Sequence, residues 1–198
     1  MRQMSEYRGR GIPLRASDVD TDQIIPSEWL KRVERTGFGQ GLFADWRDNP
    51  EFVLNDMRFS GGSILIALEN FGVGSSREHA VWALTDWGFR VVISPRFGDI
   101  FRNNATKTGL LPVVLERSAV DRLLAAVEED PGTEILVDVV HGTVSVPRLD
   151  LVFRFDLSEG VRNRFVQGLD DIDLTLARMD AITAFEERRP SWMPRAAV

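Results

Sequence analysis

Residues 63–94 narrow the chain's folding options more than any other stretch. An apolar run, Ser63-Ile64-Leu65-Ile66-Ala67-Leu68, leads into Asn70-Phe71-Gly72-Val73-Gly74-Ser75-Ser76-Arg77-Glu78-His79. Ala80, Val81, Leu84 and Trp87 then recur at helical spacing before Gly88, and a second apolar run, Phe89-Arg90-Val91-Val92-Ile93-Ser94, follows at once. Short continuous apolar runs bounded by turn residues suit buried strands, whereas the recurrence at three and four suits an amphipathic helix. Gly88 falls where a helix stops, because glycine tolerates the left-handed conformation of a C-terminal cap. The order strand, glycine turn, helix, strand is a βαβ unit, which requires two parallel strands and a right-handed crossover. In open α/β sheets ligands collect beyond the carboxyl ends of the strands, where Gly72 to Arg77 would lie.

That turn has two readings. Its glycines let the backbone bend tightly and approach a ligand without a Cβ in the way. Two serine hydroxyls, a guanidinium and helix N-terminal amides would then face one place, a setting for an anion and especially a carboxylate. The plainer alternative is structural. Ser75-Ser76-Arg77-Glu78 fits a capping box, with Ser75 as N-cap and Glu78 three residues on.

A length of 198 residues suits one domain with a real core. The formal charge of -6, with lysine and arginine scattered, argues against nucleic acid as the main partner. There is no twenty-residue apolar run, and Met1-Arg2-Gln3-Met4-Ser5-Glu6 lacks the apolar core of a signal peptide. A soluble, cytoplasmic protein is expected, with no membrane partner. The chain has no cysteine, which excludes disulfides, thiolate nucleophiles and cysteine-ligated clusters within it. Its two histidines, His79 and His141, stand far apart in sequence, so a self-contained metal site is not expected.

Upstream, Gly11-Ile12-Pro13-Leu14 reads as a short strand leading into Asp18-Val19-Asp20-Thr21-Asp22-Gln23-Ile24-Ile25-Pro26, a polar loop ending in a buried anchor. As a calcium loop it lacks the required glycine and terminal glutamate; an Asx-turn with helix-capping carboxylates is the structural alternative. Ser27 to Val33 reads as a helix start or ordered loop, and Thr36-Gly37-Phe38-Gly39-Gln40-Gly41 breaks it. Leu42 to Leu54 is aromatic and turn-rich, suited to short helical pieces covering a core or, if Phe43, Trp46 and Phe52 are exposed, a partner. Downstream, Pro95 to Ala105 reads as a short helix and Leu110 to Leu115 as a strand. Ser118-Ala119-Val120-Asp121 reads as a cap for a helix bearing Val120, Leu123, Leu124 and Val127, ended by Pro131-Gly132. Glu134 to Val140, Thr143 to Val146 and Leu151 to Phe155 are strand-like, with a turn at His141-Gly142. A final helix, Gly168 to Glu187, is expected to pack on the core through Leu169, Ile172, Leu176, Met179 and Ile182. Residues 188–198 form a tail, so residues 1–198 read as a single domain.

Three segments together resemble one family: Asp20-Thr21-Asp22-Gln23-Ile24-Ile25-Pro26; Asn70 to Leu84; and Gly88-Phe89-Arg90-Val91-Val92-Ile93 with Phe97-Gly98-Asp99-Ile100-Phe101. They are similar to the small subunit of bacterial 3-isopropylmalate dehydratase (isopropylmalate isomerase), a relative of the swivelling domain of aconitase. The resemblance runs from about Gly11 to Trp192. Val73 departs from it, since many relatives have cysteine there. The resemblance implies an α/β fold, a swivelling β/β/α three-layer domain with a central parallel sheet, helices on one side and further β-structure on the other. It implies a heterodimer with a large subunit that holds an iron–sulfur (4Fe-4S) cluster through three cysteines, and no cofactor on this chain. The implied reaction is the isomerisation of 2-isopropylmalate and 3-isopropylmalate through 2-isopropylmaleate, a step of leucine biosynthesis.

It also implies residue roles. Ser75 is the base, acting as an alkoxide; Arg77 holds a substrate carboxylate and favours the alkoxide; Gly74 and Ser76 belong to the carboxylate site. A helix N-terminus supplies only about 0.3–1 kcal/mol, or ~2 kcal/mol when partly buried. At roughly 1.4 kcal/mol per pKa unit that lowers a hydroxyl by about one unit. The remainder must come from Arg77, from nearby amides and from a dry cleft between subunits. Thr21 and Asp22 lie on the active face and orient the basic groups. Trp29, Leu30 and Lys31, with Arg32, occupy the loop that reads the substrate's variable group. Trp29 and Leu30 suit an isopropyl group, while Lys31 and Arg32 keep a homoaconitase-, aconitase- or methylmalate-type substrate open. His79 is an oriented group behind the site or a helix-surface group, the catalytic acid belonging to the large subunit. Two other classes remain: a non-catalytic subunit, and a phosphate- or nucleotide-binding module. The latter is weakened by the absence of G-x-x-x-x-G-K-[ST] and G-x-G-x-x-G patterns.

Overall fold

One strand, β1 (Glu6–Leu14), is half wet and half dry. Glu6 to Arg10 alternates exposed and half-buried positions, whereas Gly11, Ile12, Pro13 and Leu14 are all buried. An antiparallel sheet open to water on one face calls for alternation, and a parallel sheet covered on both faces calls for a continuous apolar run. The pairing follows that division in the computed structural model, which describes residues 1–31, 36–190 and 192–193. Gly11 to Leu14 pair in parallel with Ile64 to Ala67 of β2 (Ile64–Ala67). Glu6 to Arg10 pair antiparallel with β5 (Glu134–Asp138). With β3 (Val91–Ser94), β4 (Leu111–Val114), β6 (Thr143–Val146) and β7 (Leu151–Arg154), the described residues form a seven-stranded sheet ordered β4-β3-β2-β1-β5-β6-β7. β1 to β4 make the parallel block, and β5 to β7 grow from the first half of β1 as an antiparallel block. This is the α/β architecture expected, with the additional β-structure attached through a shared strand.

Two prolines sit inside strands without breaking them. Pro112 belongs to β4, at the edge of the sheet. Pro13 pairs with Ile66 on one side only, since β5 reaches no further than Arg10. A residue that cannot donate is tolerated where no neighbouring strand needs its donor.

The helices, in chain order, are α1 (Thr21–Ile24), α2 (Ala44–Arg47), α3 (Glu78–Trp87), α4 (Asp99–Thr108), α5 (Arg117–Glu129), α6 (Glu159–Gln167), α7 (Asp171–Leu176) and α8 (Met179–Glu187). β2, α3 and β3 form the expected parallel βαβ unit, and Gly88 caps α3 at a φ of 118°. α5 packs across β1, β2 and β3, burying the expected Val120, Leu123, Leu124 and Val127. Phe43 is fully buried and stacks on Trp46 at 5.1 Å, with Phe52 edge-on to both. These aromatics cover the core and are not an exposed patch.

Several expectations are corrected. Ser118 does not cap α5, which starts one residue earlier at Arg117, next to Glu116 in the cap position and without a side-chain cap; Arg117 instead pairs with Glu69 and Asp121. α6 was not foreseen, because Phe165 is its one buried residue and the polar residues around it leave little periodicity to read. Gly168 closes α6 at a φ of 70° and does not begin the last helix. That last segment is two helices, since Asp170 caps α7 with a reciprocal bond to Asp173 and the chain turns again at Ala177-Arg178. Of the face expected to pack on the core, Ile172, Leu176 and Met179 are exposed, while Leu169 and Ile182 are half-buried. Among the described residues no helix is long and apolar enough to cross a membrane.

Candidate active site

Beyond the carboxyl end of β2 the chain keeps pairing without being a strand. Phe71 bridges Phe97 in parallel, and Val73 bridges Asp20 in the same sense. The Phe71 amide donates to the Arg96 carbonyl at 3.0 Å and its carbonyl accepts from Gly98 at 2.9 Å. The amides of Gly72 and Val73 both donate to the Val19 carbonyl, at 2.7 and 3.3 Å. Residues 71–73 are therefore threaded between 18–20 and 96–98, the segments that leave β1 and β3.

Glycine is required at the bend for two different reasons. Gly72 has a φ of 74°, and a Cβ there would lie 2.3 Å from Cγ of buried Phe101. Gly74 has a φ of 90°, but a Cβ would have room, 3.4 Å from the nearest atom, so only its conformation demands glycine. We expect Gly72→Ala to lower stability by about 2–4 kcal/mol, from overpacking plus left-handed strain. The check is a lower urea midpoint at unchanged slope.

The capping-box reading of Ser75 does not hold. α3 begins at Glu78, its N-cap position is Arg77, and no side chain caps it. Ser75 is diverted by its carbonyl, which accepts from the Arg77 amide at 2.8 Å and from the Thr21 hydroxyl at 3.1 Å. Its own hydroxyl is exposed and, among the described residues, has no partner. No backbone carbonyl among the described residues accepts from the amides of Gly74, Ser75 or Ser76. The donors left free here are thus loop amides ahead of the helix, and the helix dipole, which fades within a turn, is a lesser contributor at Ser75.

Thr21 holds this turn. It is 1% exposed; its amide donates to the Val73 carbonyl at 3.0 Å and its hydroxyl to that of Ser75. One residue therefore fixes the backbone on both sides of Gly74. Thr21 opens α1, which Asp20 caps through a reciprocal pair with Gln23. The Asx-type cap expected of this loop is therefore present. Asp22, next along, forms an ion pair with Arg77, whose side chain is 18% exposed against 52% for Asp22. Nη1 of Arg77 is buried, and contact with Asp22 without hydrogen-bond alignment fixes where the guanidinium sits.

Thr21, Asp22, Gly74, Ser75, Ser76 and Arg77 are thus brought into one cluster. Trp29, Leu30 and Lys31 lie on the next turn, a 3₁₀ segment, Ser27–Lys31, with no buried residue. The Trp29 ring lies against Gly41, where a Cβ would come within 2.4 Å of it. Arg32 lies outside the described residues. His79 is packed edge-on between Phe38, at 5.2 Å, and Trp82, at 4.7 Å, on the surface of α3. Sequence reasoning missed the Val19 carbonyl, which takes two amides from the turn; a backbone acceptor leaves no mark on residue type.

Residues 1–118 match the family model of the aconitase C-terminal domain, and residues 171–197 match that of the C-terminal domain of the 3-isopropylmalate dehydratase small subunit. The chain is 60% identical over 191 residues to the 3-isopropylmalate dehydratase small subunit of Parafrankia sp. (strain EAN1pec), covering 96% of this chain and 97% of that one. It is also 60% identical to the small subunit from Acidothermus cellulolyticus, over 98% of each. The crystal structure of 3-isopropylmalate dehydratase (LeuD) from Methanocaldococcus jannaschii is similar, with a TM-score of 0.65 at 25% identity, covering 91% of this chain and 99% of that one. A fold-level match, near-complete coverage by these relatives and a match to a C-terminal domain named for the small subunit agree: the chain belongs to the 3-isopropylmalate dehydratase small-subunit family, within the aconitase superfamily.

Proposed function

We propose that the chain is the small subunit of a cytoplasmic 3-isopropylmalate dehydratase. In this reading it is a hydro-lyase that interconverts 2-isopropylmalate and 3-isopropylmalate through 2-isopropylmaleate, as a heterodimer with a large subunit. One observation supports the residue roles above the rest: an exposed serine hydroxyl without a partner among the described residues sits on a turn whose three amides, Gly74 to Ser76, meet no backbone carbonyl there, two residues before a guanidinium anchored on Asp22.

The chain has no cysteine, so its donor set does not fit an iron–sulfur cluster. The 4Fe-4S cluster is assigned to the large subunit, where it would assist loss of the hydroxyl as a Lewis acid. This chain's share is the carbon-bound proton. Ser75 Oγ, as alkoxide, takes that proton while the C–H electron pair forms the double bond and hydroxide leaves on the partner's side. Rehydration reverses these steps with hydrogen and hydroxyl exchanged between the two carbons. A substrate carboxylate is held by the fork of Arg77 and by the amides of Gly74 to Ser76 together with the Ser76 hydroxyl. The same positive potential stabilises the alkoxide, and counts for more once a partner excludes water. Asp22 keeps the guanidinium in place. Trp29 and Leu30 offer apolar surface to an isopropyl group, worth a few kcal/mol at most.

Thr21 contacts the turn through buried bonds and acts by positioning Ser75. Thr21→Val keeps the shape and removes the donor to the Ser75 carbonyl, at a stability cost of about 1–2 kcal/mol. We expect kcat to fall by about tenfold, the size of a small displacement of a reacting group, with Thr21→Ser restoring it. Steady-state kinetics of the reconstituted complex check both. The function itself is tested by mixing the chain with a cluster-loaded large subunit and assaying 2-isopropylmalate, citrate and citramalate. Turnover of isopropylmalate by the mixture and by neither subunit alone is expected; turnover by the chain alone, or preference for citrate, overturns the reading.

A further inference from the structure

Where β1 and β2 end, both chains turn, and each turns through a left-handed residue that is not glycine. Asp18 has a φ of 54° and Asn70 a φ of 61°. Aspartate and asparagine tolerate this conformation better than most side chains, so backbone geometry alone accounts for the residue types. It does not account for their contact. Nδ2 of Asn70 donates to Oδ1 of Asp18 at 2.6 Å, and the Asp18 amide donates to the Glu69 carbonyl at 2.8 Å. Glu69-Asn70 thus grips Asp18 by backbone and side chain together. Glu69 is in turn paired with Arg117, at the start of α5, at 2.6 Å.

The two turns keep step. Leu14 lies opposite Ala67 before them and Asp20 opposite Val73 after them, so each chain spends the same number of residues on its turn. On the other side the register slips: Ile66 lies opposite Ile93 but Phe71 opposite Phe97, the β3 side spending one residue fewer. Keeping step on the β1 side brings the Val19 carbonyl to Gly72 and Val73, and Thr21 to Val73 and the Ser75 carbonyl. We propose that Asp18 and Asn70 are positioning residues, whose mutual bond locks the paired turns and so sets where Thr21 holds Ser75. The proposal rests on the reading above in which Ser75 takes the proton. A hydrogen bond to a carboxylate is stronger than one between neutral groups. Asp18 is exposed and Asn70 half-buried, so water can satisfy either group alone and the bond adds little to global stability. Water cannot hold the two turns in step.

The test is steady-state turnover of 2-isopropylmalate by the full-length chain assembled with a full-length, cluster-loaded large subunit. Asp18→Gly and Asn70→Gly keep the left-handed backbone, which glycine adopts freely, and remove only the bond. Each should melt within about 4 °C of wild type. Each should lower kcat about tenfold, the size of a small misplacement of a reacting group, with KM changed by less than about threefold. Asp150, left-handed at a φ of 52° between β6 and β7, is the control: Asp150→Gly should leave kcat unchanged. Asn70→Asp sets carboxylate against carboxylate and should lower kcat at least about tenfold. Adding Asp18→Asn exchanges acceptor and donor, and should restore kcat to within about threefold of wild type. Wild-type kcat in both glycine variants overturns the proposal, as does an equal loss in Asp150→Gly or an exchanged pair no faster than Asn70→Asp alone. If those results come while Ser75→Ala still abolishes turnover, the Ser75 reading stands and the Asp18–Asn70 assignment alone fails. Wild-type turnover in Ser75→Ala, or none in the wild-type complex, removes the reading and this assignment together.

Discussion

Replacing Ser75 by alanine in the assembled complex should lower turnover by about 10²–10⁴-fold, the contribution of a positioned proton-transfer group. It should leave the chain's stability within about 0.5 kcal/mol of wild type. The combination follows from the geometry. The hydroxyl caps no helix and bonds to nothing among the described residues, while the Ser75 backbone is held by Thr21 whatever the side chain. Had Ser75 been the N-cap, its loss would have cost about 1 kcal/mol of stability. Substrate affinity should change little, because the proposed carboxylate site is Arg77 and the loop amides. Thermal unfolding of the variant beside steady-state kinetics separates base from cap in one pair of measurements.

Arg77→Lys keeps the charge and should still lower kcat/KM by about 10- to 150-fold. That range corresponds to roughly 1.5–3 kcal/mol, the net worth of a hydrogen bond to a charged group. A guanidinium presents two parallel donors to a carboxylate, and an ammonium on a flexible stem cannot reproduce that fork. The guanidinium is also fixed before substrate arrives, since its side chain is mostly buried and paired with Asp22. A lysine would surrender that preorganisation along with the second donor. The loss should appear mainly in KM, with a smaller fall in kcat from the weaker potential at Ser75. A variant with wild-type KM would remove Arg77 from the carboxylate site.

How far the sequence spoke depended on whether the signal lay in side-chain pattern or in backbone pairing. The βαβ unit was legible because strands buried on both faces, Ile64 to Ala67 and Val91 to Ile93, must be apolar throughout. Gly88 was legible as a helix stop for an equally local reason. The cluster of Ser75, Ser76 and Arg77 was found from the glycine turn, and Thr21 and Asp22 from a resemblance, since nothing local says that residues 54 positions apart share a hydrogen bond. The capping box failed because Ser75 and Glu78 satisfy the pattern, while the Ser75 carbonyl is captured by Thr21 and the helix starts late. The C-terminal helix failed because periodicity at Ile172, Leu176 and Met179 shows that a face is apolar without showing what covers it. α6 failed for the converse reason, being a largely polar helix anchored by Phe165.

The central claim is that the Ser75 hydroxyl, made acidic by Arg77 and the unpaired amides of its turn, removes the carbon-bound proton. The most direct measurement is exchange of that hydrogen with solvent deuterium in the assembled complex, alongside equilibrium binding of the same dicarboxylate. Wild-type complex should exchange, and the Ser75→Ala complex should bind with nearly the same affinity while exchanging about 10²–10⁴-fold more slowly. Exchange by the alanine complex within a few-fold of wild type would contradict the account, because another group would then be taking the proton.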